Sequence, residues 1–137
     1  MQVLIRPASM RKGIIILTVL YTIVLTVACL GPAPQSFEQE NSPDKFYHIT
    51  ATFLLFMAWF TYGYMIALRQ KPFPRVLIII SLLTFCYGMI IEVLQGTFTT
   101  YRTADGYDLL ANSVGILIGI VVVCIFRNQI NSIKAKF

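Results

Sequence analysis

Four apolar runs separated by short polar connections constrain this chain more than any other feature, covering approximately residues 13–30, 46–68, 76–95 and 109–126. At about 1.5 Å of rise per residue, roughly 20 helical residues cross a hydrocarbon core of about 30 Å. The expectation is an all-α polytopic membrane protein: a four-transmembrane-helix bundle forming a single membrane domain over residues 1–137. The first and last runs are short and should stand nearly upright, whereas the second is long enough to tilt. Composition excludes the soluble alternative. Of the 137 residues, 57% are hydrophobic and only 12% charged, and the mean hydropathy is +0.73.

Charge then orients the frame. Nine of the eleven Lys and Arg fall in three groups: Arg6, Arg11 and Lys12; Arg69, Lys71 and Arg75; Arg127, Lys134 and Lys136. No acid lies among them. All six acids and the single histidine belong to the other two connections or to the span ends beside them. Basic loops stay on the cytoplasmic side, so both termini and the middle connection are expected there, with the acidic connections facing outward. The net charge of +5 does not imply a nucleic-acid partner, because the basic groups are split among juxtamembrane positions where anionic lipid accounts for them.

Cys29, Cys86 and Cys124 lie inside or at the ends of apolar runs, in no metal-binding spacing, and read as small hydrophobes. Ala28-Cys29 after an apolar run also resembles a lipoprotein cleavage site. Thr26 stands where Leu or Val is usual there, and a retained first span preserves the charge alternation, so an uncleaved segment is preferred.

The first span carries no charge and few hydroxyls, which suits an anchoring and packing role, and Gly31-Pro32 stops it. Ser42-Pro43 reads as an N-cap followed by proline, placing Glu38, Glu40 and Asp44 near the positive end of the second helix. The aromatics of that span read as interfacial anchors near its ends and ordinary packing in its middle. In the third span Glu92 and Gln95 are three residues apart and share a face. Glu92 lies sixteen positions after Val76, roughly 24 Å along the helix and below the outer surface. Asp105 is an expected N-cap of the fourth helix, Asp108 falls in its first turn, and Asn112 follows on the same face. Gly115 and Gly119 continue the four-residue spacing that permits close helix contact in a membrane.

Depth links these residues. His48 lies about one turn into the second span, Glu92 about one turn below the outer end of the third, and Asn112 one to two turns into the fourth. The candidate ligand-binding set is therefore Asp44, Lys45, His48, Glu92, Gln95, Arg102, Asp105, Asp108 and Asn112. An ionised carboxylate inside a span costs about 2.5–3.5 kcal/mol at the centre, and intramembrane ionisable groups mark function by default. His48 and Glu92 are the candidate acid–base pair, although no Ser, Cys or metal-ligand trio stands beside them. Carboxylate oxygens with one His are compatible with a divalent cation, but no metal set and no cofactor is assigned. Arg102 suits bidentate contact with phosphate or carboxylate at headgroup level.

Together these residues resemble the VanZ-like family of small bacterial membrane proteins. The resemblance rests on Asp44-Lys45, two residues and His48; on Ile91-Glu92, two residues and Gln95; and on Arg102, Asp105, Asp108, Asn112, Gly115 and Gly119 in the family's order. It covers about residues 40–120, and it departs at Thr52, where the family often has Tyr. It implies a four-span bundle in the bacterial cytoplasmic membrane and an association with teicoplanin-type glycopeptide resistance through an effect at the cell envelope.

Three readings stay open. The first is an outward polar pocket that binds or modifies an anionic lipid or cell-wall precursor. The second is a membrane hydrolase or transferase using His48 and Glu92. The third is a structural or assembly protein in which Gly115 and Gly119 pack a partner helix. Conservative substitution of His48, Glu92 and Arg102 separates them.

Overall fold

The computed structural model describes residues 7–32, 44–99 and 106–136, and among these there is no strand. Five α-helices follow in order: α1 Pro7–Leu30, α2 Asp44–Tyr62, α3 Phe73–Phe98, α4 Gly106–Ile125 and α5 Arg127–Lys136. Four helices are long and apolar enough to cross a membrane: Ala8–Leu30, Lys45–Ala67, Phe73–Phe98 and Gly106–Ile125. The protein is a multi-pass membrane protein, and its outward faces carry Leu17, Val27, Leu82, Leu117 and Ile125 toward lipid.

Local chemistry sets the ends. Gly31 closes α1 by donating its N–H to the Val27 carbonyl at 2.9 Å. A π-helical turn, Gly63–Ala67, extends α2, and the Leu68 N–H reaches back to the Gly63 carbonyl at 2.8 Å. Pro72 precedes α3, which begins with proline in its first turn, where the missing N–H costs no helical bond. Residues 127–136, read from the sequence only as carrying the third juxtamembrane basic group, form α5. The Ile130 N–H bonds to the Phe126 carbonyl at 2.9 Å, so α5 follows α4 across a single turn residue. The Ser42-Pro43 cap and the Asp105 cap lie outside the described residues, as do Glu38 and Glu40.

The core is aromatic, built on Phe56, Phe60, Tyr64 and Phe73 with Val76, Ile80, Ile116 and Val123. Phe60 stacks on Phe56 at 5.8 Å and on Tyr64 at 5.5 Å, while Phe73 meets Phe60 edge-on at 5.6 Å. These separations fall in the range where ring quadrupoles attract. The mid-span rings of α2 are thus the packing centre of the bundle.

Among the described helices the broadest contact joins α2 to α4. A Cβ added at Gly115 would fall against the Ile49 carbonyl and 3.0 Å from the Phe53 nitrogen, and one at Gly119 against the Phe56 ring. Contacts advance together along both helices, from His48 with Asp108 through Thr52 with Asn112 to Phe56 with Gly119. The two helices therefore run parallel. Small residues four apart let parallel spans approach backbone to backbone. The occupant of the Gly115–Gly119 face is α2 of the same chain.

Helix α1 is held differently. Little of it is buried, yet side chains tie it along its length. The Tyr21 hydroxyl donates to the Ala51 carbonyl at 2.9 Å, and the Trp59 indole N–H donates to Thr22 Oγ1 at 3.0 Å. Thr26 Oγ1 gives its proton to the Thr22 carbonyl at 2.8 Å, so the Tyr87 hydroxyl, also 2.8 Å away, is the donor to Thr26. The hydroxyls on α1 carry more of the packing than their small number suggests.

Candidate functional site

The α2–α4 seam brings three charge-bearing groups together near the start of both helices. Asp108 accepts from Lys45 Nζ through Oδ1, while His48 Nε2 stands 3.5 Å from Oδ2. The two oxygens of one carboxylate thus face two different nitrogens. The spacing explains the meeting: Lys45 and His48 are three apart on one face of α2, and Asp108 lies in the first turn of the parallel α4. At 3.5 Å the imidazole contact is electrostatic rather than a tight hydrogen bond. The Lys45 side chain is 44% exposed and that of Asp108 only 10%. The group therefore runs from an open mouth at Lys45 to a closed carboxylate.

One turn deeper lies a second polar layer. Thr52 Oγ1 donates to Asn112 Oδ1 at 2.6 Å, and both residues are buried. Sequence reasoning marked Thr52 only as a departure from the family's tyrosine. The structure keeps a hydroxyl function at that position and shows what it contacts. The signal available in sequence was its spacing, four residues after His48, matching the step from Asp108 to Asn112.

Helix α3 supplies the third wall. A Cβ added at Gly88 would lie 3.2 Å from Asn112 Nδ2, so Gly88 and Asn112 face each other. Glu92 is one turn beyond Gly88, and Asp108 one turn before Asn112. Because α3 runs opposite to α4, Glu92 comes level with Asp108. Glu92 and His48 are each 9% exposed, and Asp108 7%. Ionisable groups so enclosed in an apolar bundle are costly to keep, and that cost is offset only by close partners.

Gln95 turns elsewhere. It is 2% exposed, and its amide nitrogen donates to the Cys29 carbonyl at 2.9 Å. That carbonyl belongs to the last turn of α1, where no intrahelical N–H remains for it. Gln95 therefore fastens the end of α1 to α3. Cys29 is partly buried at this joint, whereas Cys86 and Cys124 are exposed.

Arg102, Asp105 and the side chain of Asp44 lie outside the described residues. Among the described residues no group of three or more His, Cys, Asp or Glu is placed to hold a metal ion. The chemistry on view is a carboxylate shared by an ammonium and an imidazole, backed by a neutral Thr–Asn pair. Such an arrangement orients the imidazole ring and sets it and an ammonium against the two oxygens of one carboxylate.

No curated protein and no solved structure matches the chain. The sequence profile of VanZ/LLP1 matches residues 18–127, a stretch that takes in most of α1 and all of α2, α3 and α4. On the extent of that match, the chain belongs to the VanZ/LLP1 family.

Proposed function

We propose that this protein acts in the bacterial cytoplasmic membrane with its His48 end outward, where the polar pocket engages the anionic group of an envelope lipid or a peptidoglycan-related precursor. The observation that carries the reading is the shared carboxylate of Asp108, which holds Lys45 and His48 at the mouth of a buried polar layer. Lys45 Nζ, with three N–H groups, is the donor suited to an incoming phosphate or carboxylate, while His48 Nε2 faces Asp108. The guanidinium of Arg102, a residue outside the described ones, has chemistry suited to the same ligand. Topology supports the orientation, since nine of the eleven Lys and Arg belong to the opposite connections. The family resemblance supports a link between this protein and glycopeptide susceptibility of the teicoplanin type, which we place at this pocket.

The test is a set of variants at matched membrane abundance. His48→Ala, Lys45→Gln and Asp108→Asn are each expected to abolish the chain's effect on teicoplanin susceptibility and on the envelope-lipid profile. An unchanged phenotype in all of them removes the pocket from the function. Loss of the protein from the membrane in every variant points instead to a structural role.

A second reading follows from the imidazole itself. A carboxylate set against one ring nitrogen orients a histidine for general acid–base work, with Glu92 level with it on α3. Under that reading His48→Gln retains capture of a headgroup-bearing lipid but stops its conversion. Equal loss of capture and effect favours binding alone.

A further inference from the structure

The opposite end of the bundle gathers positive charge, and among the described residues no Asp or Glu stands beside it. Lys134 Nζ sits 3.5 Å from the centroid of the Tyr64 ring, and the Arg127 guanidinium 4.9 Å from that of Phe73. These rings meet edge-on at 5.4 Å, so the two cations ride on adjoining aromatic faces. Arg69 follows Tyr64 by five residues, just past the end of the same helical run. Burial first, and then the Arg69 charge, push the Lys134 ammonium below its ordinary value. Arg69 Nη1 is buried and has no hydrogen-bond partner among the described residues.

None of the chain's six Asp and Glu falls in α5, in the π-turn or in residues 68–72. Glu92 is nineteen residues along α3 from Phe73, and Asp108 nineteen residues before Arg127. At the helical rise each is roughly 28 Å away. A buried guanidinium nitrogen without an acceptor is costly, and a third party supplies the acceptor most simply.

Beside this cluster an apolar cleft of about 250 Å³ opens between α1, α2, α4 and α5. Ile14, Phe60, Tyr64, Val123, Ile130 and Ile133 line it. Tyr64 belongs to both features, with its face under Lys134 and its flank in the cleft. The Tyr64 hydroxyl donates to Asn131 Oδ1 at 2.7 Å, which fixes α5 over the cleft.

We infer that this end binds one anionic phospholipid of the adjoining leaflet, its phosphate held between Arg69 and Lys134 and one acyl chain laid in the cleft. The cleft selects a lipid over a free anion. The basic cluster selects an anionic headgroup over a zwitterionic one. This site is separate from the His48 pocket and does not depend on its function.

The experiment uses the full chain in a neutral maltoside detergent, with native mass spectrometry and thermal melting as readouts. Phosphatidylglycerol, phosphatidylcholine and inorganic phosphate are added separately. One phosphatidylglycerol is expected to bind and raise the melting temperature, with phosphatidylcholine and inorganic phosphate giving little at equal concentration. Arg69→Gln and Lys134→Gln are each expected to weaken phosphatidylglycerol binding about tenfold, the worth of one charge-assisted hydrogen bond. Ile133→Gln weakens it through the cleft wall. Lipid-free Arg69→Gln melts no lower than wild type, because its buried Nη1 has no hydrogen bond to lose among the described residues. Equal binding of the two lipids, an equal response to inorganic phosphate, wild-type affinity in both charge variants, or a lowered lipid-free melting point for Arg69→Gln overturns the inference.

Discussion

The contact of α2 with α4 and the contact of α1 with the rest of the bundle answer the same need in opposite ways. Between α2 and α4 the backbones close on each other at Gly115 and Gly119, where any side chain meets carbonyl oxygen or aromatic carbon. Along α1 little surface is buried, and the joint is a series of separate hydrogen bonds from Tyr21, Trp59, Tyr87 and Gln95. In lipid the hydrophobic effect does not drive helices together, so association falls to dispersion at close range or to polar side chains. This molecule uses the first where two helices hold the Lys45, His48 and Asp108 side chains in register, and the second where a helix only has to stay attached.

The sharpest way to break that contrast is at the glycines. Gly115→Val should cost about 3 kcal/mol, the upper end of ordinary overpacking penalties, because its neighbour is rigid backbone. Thermal melting in detergent measures it, and a variant that melts like wild type would refute the close-packed seam. Next comes Asp108→Asn, expected to cost about 2 kcal/mol through the loss of charge-assisted contacts to Lys45 and His48. A Lys45→Gln and Asp108→Asn double-mutant cycle checks it, and strictly additive values would show that the two do not interact. Thr52→Val should follow at about 1 kcal/mol, since it leaves Asn112 Oδ1 buried without its donor. Smallest are the α1 ties. Trp59→Phe and Thr26→Val should each cost roughly 0.6 kcal/mol, the average for interhelical hydrogen bonds in membranes. If either exceeded the glycine variant, the ranking of the two interfaces would be reversed.

The frame and the polar layer were legible in the residues because each rests on a one-dimensional signal. Apolar run length gave four spans, and equal depth grouped His48, Glu92 and Asn112, but the expected partner of His48 was Glu92 and the carboxylate that faces its Nε2 is Asp108. The spacing of Gly115 and Gly119 announced a close contact but not its occupant, since helix rotation and neighbour choice are three-dimensional facts. Gln95 shared a face with Glu92 as expected, but its amide is spent on α1. Nothing in the order of residues says which helix supplies an orphan carbonyl. Thr22 and Thr26 looked too sparse to matter, yet each bonds to its own helix and also receives a proton from a neighbour. Their effect depends on where Trp59 and Tyr87 stand. The pairing of Lys134 with Tyr64 was hidden for a similar reason: a cation over a ring has no fixed sequence spacing, and the α5 residues read only as a juxtamembrane basic group.

The parallel run of α2 and α4 has a consequence for biosynthesis. Lys45 and His48 are synthesised and threaded into the bilayer a complete return passage before the carboxylate they share. A ribosome must therefore finish α3 and begin α4 before the cluster can close. Halting translation after residue 99 would give a nascent chain with two inserted donors and no Asp108. The last helix to enter completes the site, so quality control acting on unsealed polar spans has a defined interval in which to intervene.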